Sequence, residues 1–240
     1  MAAAGVQYVV ARGDTAWAIA HRHGLTLDHL AALNPAADLS RIKVGQKLSV
    51  KGGTQPEAPS TPSASLHIGP PPATVSNVKF KARAATTGIT VHCSATKPSQ
   101  NWTAADIDRM HRSPATGYIC IGYHFVIRRD GTVEQGRPIH VVGAHARDGG
   151  RNSTHVSVCL VGGVSEKPQA HVPGNPWNGS DAECNFTAAQ FAALKELRAH
   201  INKQYGKALP VEGHRDIPGV RKACPSFQVG HWLKTGEAKL

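Results

Sequence analysis

Two histidines and one cysteine, far apart in the chain, carry the side chains best suited to hydrolytic chemistry. His92 sits in the alternating segment Ile89-Thr90-Val91-His92-Cys93, His214 opens Gly213-His214-Arg215-Asp216, and Cys224 precedes Pro225. Two neutral imidazoles and one thiolate are a catalytic zinc set: they hold the ion and leave one tetrahedral position open. Cys224 is placed at an expected helix start, where the helix dipole favours a thiolate. The three lack the close CxxC or HExxH spacing. Spacing alone is therefore better explained by a buried cysteine and two unrelated histidines. The chain has 14 histidines, and most read as ordinary ones. His21, His23 and His29 suit a solvated helix face, His67 lies in a proline-rich stretch, and His111, His155, His171, His200 and His231 have no sequence partner. Cys93 neighbours His92, but side chains alternate along a strand, so its thiol should point away from a metal. With Cys120 and Cys159 it reads as small core filling.

The elements that must position these residues fall into two domains. Pro56, Pro59, Pro62, Pro70, Pro71 and Pro72 punctuate a Ser/Thr/Ala-rich stretch that buries little. It marks a linker over 52–79, between a domain at 1–51 and another at 80–240. In the first, Tyr8 to Val10 suggests a strand, and Gly13 with Asp14-Thr15 a turn and helix cap. Gly24 ends that helix, Thr26 caps a second, Asn34-Pro35 stops it, and Ile42 to Val50 alternates as a closing strand. The order is β-α-α-β.

In the second domain the fold class is α/β, a mixed sheet with helices on its faces. Strands are expected at Ile89–Cys93, Tyr123–Ile127, around Val133 after the Asp130-Gly131 turn, and at Val156–Val161, an apolar run typical of a buried central strand. Thr103 with Asp106, and Thr187 with Gln190, are capping-box starts of helices. The second opens a long amphipathic helix through Tyr205, and a last short helix is expected over Pro225–Leu233.

The formal net charge of +11 implies an anionic partner. No groove-reading motif or aromatic-laced arginine stripe points to nucleic acid. Five cysteines cannot all pair, and none shows the spacing of a secreted disulfide framework, which suits a reducing compartment. Met1 to Gln7 lacks the basic and apolar regions of a signal peptide, and no apolar run is long enough to span a membrane.

The first domain resembles the LysM module at Tyr8, Val10, Gly13-Asp14-Thr15, Ile19-Ala20, Gly24, Leu30, Asn34-Pro35, Ile42, Gly45-Gln46, Leu48 and Val50. That resemblance implies binding to N-acetylglucosamine-containing glycans in a groove between two loops, near Gly13, Asp14 and Thr15 on one side and Asn34 and Pro35 on the other. The second domain is similar to the amidase-type lysozymes of T-odd coliphages. The matches run collinearly: VHCSATKPSQN from Val91, GYHFVIRRDGTVEQGR from Gly122, VGAHA from Val142, VCLVGG from Val158 and KACPSF from Lys222. They imply the type-2 amidase fold shared with peptidoglycan recognition proteins. They also imply Zn2+ held by His92, His214 and Cys224, and cleavage of the amide between N-acetylmuramic acid and L-alanine. Tyr123 and Lys222 match the family's active-site tyrosine and lysine, and His145 of VGAHA is expected to line the substrate cleft. The stretch Ser165–Glu183 reads as an insertion.

The expectation is thus a monomeric endolysin with peptidoglycan as partner and no membrane insertion. Without a signal peptide it would stay in the host cytoplasm until a holin releases it to the wall. Two rivals, a non-catalytic receptor on the same fold and an amidase recycling wall fragments, are disfavoured by the retained Cys224 and by the LysM module respectively.

Overall fold

A computed structural model describes residues 6–11, 16, 19, 23, 30, 31, 33–39, 42–51, 66–167 and 181–240. The chain divides into two compact units, Met1–Ala64 and Ser65–Leu240. Gly13, Asp14 and Thr15, and residues 168–180 of the expected insertion, lie outside the described residues.

In the first unit, β1 (Val6–Val9) pairs antiparallel with β2 (Lys47–Lys51). Ala16, Ile19, Leu30, Ala31 and Leu33 are helical. Val10, Ala16, Ile19, Leu30, Leu48 and Val50 form its core. Leu48 and Val50 both face inward because strand side chains alternate with period two. Asn34, expected at the sugar groove, has another task. Its amide nitrogen donates to the carbonyls of Leu30 (2.8 Å) and Ser49 (2.9 Å), and its amide oxygen accepts from the Ser49 N–H (2.7 Å). This ties the helical segment to β2 and commits the side chain to the module's own frame.

The second unit carries β3 (Ile68–Gly69), β4 (Gly88–Cys93), α1 (Ala104–His111), β5 (Phe125–Ile127), β6 (Val133–Gln135), α2 (Arg151–Thr154), β7 (His155–Leu160), α3 (Ala188–Tyr205), β8 (Val211–Gly213) and α4 (Val229–Thr235). Its sheet runs β3-β6-β5-β7-β4-β8. The central β5, β7, β4 and β8 are parallel, β6 is antiparallel to β5, and β3 parallel to β6. Parallel strands need cover on both faces. Ile89, Val91, Val156, Val158 and Leu160 pack on Leu194, Leu197 and Ile201 of α3 and Trp232 of α4. On the opposite face Val126, Cys159 and Val161 pack on Ile107 of α1 and on Val75. Both expected capping boxes form, at Thr103/Asp106 and Thr187/Gln190.

Three expectations shift. Residues 68–77, given to the linker on composition, carry β3 and a 3-10 turn whose Val75 is buried in the core, so they belong to the second unit. The prolines between them cap and space these short pieces. The strand after Gly122 begins at Phe125, leaving Tyr123 just ahead of it. The last helix begins at Val229, so Cys224 does not stand at a helix N-terminus and the helix-dipole argument for its thiolate does not apply. Val164 bridges Ala182, and Ser165 and Glu183 hydrogen-bond Asp181 and Gly163, which closes the base of the 165–183 segment.

Candidate metal centre

The parallel register of β4 and β8 pairs Val91 with Gly213, so the next residue of each, His92 and His214, emerge side by side at the strands' carboxyl ends. Open α/β sheets place their sites at this end. The two rings lie 4.6 Å apart between centroids. Cys224 is brought back to them by the loop after His214. The Arg215 N–H donates to the Cys224 carbonyl at 2.8 Å, and its guanidinium Nε donates to the Ala223 carbonyl at 3.0 Å. Pro225 packs on Gly213, where a Cβ would stand 2.9 Å from the proline ring. The result is that ligand atoms of His92, His214 and Cys224 all lie within 4.8 Å of one another.

The centre is dry. His92 is 1% exposed and His214 5%. Burial lowers the pKa of both, and the charges of neighbouring residues add to it: His145, His214 and Lys222 for His92, and Lys222 for His214. Asp148 and Glu212 act against this at His214. Both rings are therefore neutral near pH 7, the form that ligates metals. Burial pushes the Cys224 thiol up, so the bare pocket disfavours a thiolate. A bound dication reverses that preference. The Cys93 backbone N–H donates to Cys224 Sγ at 3.3 Å, a bond that steadies negative charge on sulfur.

The residues fit a metal. His92 Nδ1 stands 3.7 Å from Cys224 Sγ, near the edge length of roughly 3.3–3.8 Å that bonds of 2.0–2.3 Å subtend in a tetrahedron. His214 Nε2 is buried without a hydrogen-bond partner. A soft thiolate with two imidazoles suits zinc and not a hard cation such as Mg2+.

Around this cluster lie the other residues expected at the amidase site, Tyr123, Lys222 and His145. The Tyr123 ring lies 5.2 Å from that of His92, and burial keeps its phenol protonated. Its position depends on Gly122, where a Cβ would stand 2.3 Å from the Ala144 carbonyl. Only glycine lets the two segments approach this closely. Lys222 is exposed at the rim of a cleft of about 430 Å³ that also meets His145 and His214. His145 lines that cleft as expected. It also has a role that sequence does not reveal: its Nδ1 lies 2.9 Å from His92 Nε2, on the ring nitrogen away from Cys224. Asn152 holds the His145 loop by accepting the backbone N–H groups of His145 and Ala146 at 2.7 and 2.8 Å. Sequence reasoning also missed Arg215, whose only signal is its place directly after His214. Cys93 turns its thiol to Ser226 Oγ, 3.7 Å away, and to the Cys224 thiol, so it does not point away from the centre as strand alternation predicts.

Both units match known proteins. The N-acetylmuramoyl-L-alanine amidase family profile matches residues 82–227, and the LysM domain profile matches 8–51. The chain is 42% identical over 163 residues to an endolysin of Klebsiella phage KP32, covering 68% of this chain and 95% of that one. It is 40% identical over 163 residues, with the same coverage, to an endolysin of Escherichia phage T7. Among solved structures, the endolysin N-acetylmuramoyl-L-alanine amidase LysCS of Clostridium intestinale superposes with a TM-score of 0.51 at 25% identity, covering 68% of this chain and 89% of that one. With its mixed sheet, its collinear motifs and its amino-terminal LysM domain, the chain belongs to the N-acetylmuramoyl-L-alanine amidase family.

Proposed function

We propose that the chain is an endolysin that uses one zinc ion at His92, His214 and Cys224 to cut the amide between N-acetylmuramic acid and L-alanine in peptidoglycan. The observation that carries this reading is the cluster of two buried, neutral imidazoles and one cysteine whose ligand atoms converge, with His214 also lining the cleft. When bound, zinc supplies Lewis acidity toward the scissile carbonyl and toward water. His92 and His214 hold it as neutral donors, and Cys224 as the anionic one. Lys222, an exposed cation at the cleft, stabilises negative charge developing on the carbonyl oxygen. Tyr123, a phenol held protonated beside His92, donates a hydrogen bond to the reacting groups and can pass a proton to the leaving amine.

The LysM unit supplies affinity for the glycan and the second unit the chemistry, so a single chain works as a tethered hydrolase on the wall. With Asn34 used internally, the module's sugar contacts fall to the neighbouring backbone and to the segment around Gly13, Asp14, Thr15 and Pro35. Release from the host cytoplasm by a holin is part of the same reading. No helix among the described residues is long and apolar enough to cross a membrane.

The test is the bond cut. Mass spectrometry of digested sacculi should show peptides with a free N-terminal L-alanine and glycan strands of unchanged length. New reducing sugar ends, or peptides cut within the stem, would place the chemistry elsewhere. Saturable binding with no bond broken would favour a receptor.

A further inference from the structure

One nucleophile beside the candidate centre has no part in the hydrolysis. Cys93 is 7% exposed, follows His92 in β4, and lies against Cys224. The segment from Cys224 folds around it. The Cys93 backbone N–H donates to Cys224 Sγ at 3.3 Å, and the Cys93 thiol stands 3.7 Å from the Oγ of Ser226, two residues further on. The Ser226 hydroxyl is fixed in turn, donating to the Gly163 carbonyl at 2.8 Å. A Cβ on Gly163 would stand 2.8 Å from Cys93 Sγ, so that side is closed as well. With Gly163 and Ser226 on its flanks, the Cys93 thiol is kept beside the Cys224 thiol, and the two interact directly.

The other three thiols are placed differently. Cys120 and Cys159 are buried in the cluster on the α1 face of the sheet, and Cys184 packs on the core of the α3 face. All five are free. Cys224 is half-buried and Cys93 buried, so a small oxidant reaches Cys224 first. A thiol reached from solvent with a second thiol waiting behind it is the arrangement of an attacked and a resolving cysteine.

We propose that Cys93 and Cys224 are a peroxide-oxidised pair, whose disulfide in the metal-free chain takes Cys224 out of the metal set. The bond itself does not need the metal; only its consequence rests on the zinc reading. Cys224 sulfur attacks one oxygen of hydrogen peroxide, the O–O bond breaks, and a sulfenic acid and one water result. Cys93 sulfur then attacks that sulfur, the S–S bond forms, the S–O bond breaks, and a second water leaves with the thiol proton. The two thiols together lose two electrons, and one peroxide is reduced to two waters. Zinc and the disulfide exclude each other because both need Cys224 sulfur. A chain loaded with metal in a reducing compartment keeps its ligand, whereas an unloaded chain that meets an oxidant is shut off until a thiol reductant opens the bond.

The experiment uses the full-length chain, reduced, stripped with a chelator and treated with hydrogen peroxide. Peptide mapping without reduction should find Cys93 linked to Cys224, and two of the five thiols should stop reacting with an alkylating agent. Zinc well above its Kd should slow the link about ten-fold or more, because only metal-free chains react. The oxidised protein should fail to take up zinc and should recover it after dithiothreitol. Cys93→Ser lacks the resolving thiol, so its Cys224 should pass on to sulfinic acid, which a thiol reductant does not restore. Zinc binding lost to peroxide should then stay lost. If Cys93→Ser does not fold, the wild-type map decides alone. A link from either cysteine to Cys184 in place of the pair, or oxidised Cys224 with Cys93 left as a thiol, would overturn the proposal. So would recovery of zinc binding in Cys93→Ser as complete as in the wild type, or a link that forms at the same rate in protein that holds zinc. Reduced protein that forms the link and binds no zinc would count against the metal reading and leave the pair standing.

Discussion

Cys224 is the proposed ligand whose loss would separate a metal centre from a chance cluster. Cys224→Ser replaces a soft anionic donor with a hydroxyl and should lower zinc affinity by orders of magnitude and abolish lysis. A tightly bound zinc in the purified variant would show that another group completes the site. Lys222 offers the complementary case, since it stands at the rim of the cleft and offers no atom to the His92, His214 and Cys224 cluster. Lys222→Ala should retain zinc and lose about 10²–10³ in kcat, the range for removing one stabiliser of developing negative charge. Wild-type kcat with metal content unchanged would remove it from the mechanism. His145 lies between these extremes. It meets His92 at the ring nitrogen away from Cys224, and such partners typically change metal affinity 10–100-fold. His145→Ala should therefore weaken zinc binding by about that factor, read by competition with a chelator; unchanged affinity would leave it a cleft residue only.

The elements that hold the site depend on histidines that must stay neutral. His111 Nδ1 accepts the Gly122 N–H at 3.0 Å, and His124 Nδ1 accepts the Ser157 N–H at 3.0 Å. Burial lowers their pKa values to about 4 and about 3. Unfolded histidine titrates near 6.5. Below that pH the unfolded chain takes up protons that the folded one refuses, so stability falls from about pH 6.5 down through the folded values. Above it both states are neutral and this dependence vanishes. The melting temperature of metal-free protein should drop steadily between pH 6.5 and 4. A flat profile across that acid range would contradict the assignment. The capped helices and the apolar strand at 155–160 were legible because their signals are local: Thr103 and Asp106 lie three residues apart, and the run from Val156 is continuous. The cluster of His92, His214 and Cys224 was legible only through collinear motifs. The contacts that make it depend on a register between strands more than 100 residues apart and on the Arg215 clamp, and neither leaves a periodic trace. β3 escaped notice because two residues between prolines carry no period at all. Cys224 was given a helix terminus because Pro225 looks like a helix start, whereas the chain turns there and delays the helix to Val229.

At the scale of the whole molecule, the useful boundary lies at Ser65. A chain beginning at Ser65 keeps β3, Val75 and every residue of the centre, and should cleave small soluble muropeptides at the full-length rate. One beginning at Phe80 discards β3 and buried Val75 and should melt at a lower temperature. Equal melting temperatures would show that 65–79 adds nothing to the fold. Loss of the LysM unit should reduce binding to intact sacculi even at high salt, where attraction between a basic protein and an anionic wall is screened. Equal retention of both chains there would remove the module's role as anchor. The central claim concerns the second unit and is tested on the intact protein. Purified chain is assayed for metal content and for L-alanine N-termini released from peptidoglycan, before and after chelation and again after one equivalent of zinc. The account predicts one zinc per chain, loss of release with the metal, and recovery on its return. Release at an unchanged rate from protein stripped of metal would contradict it.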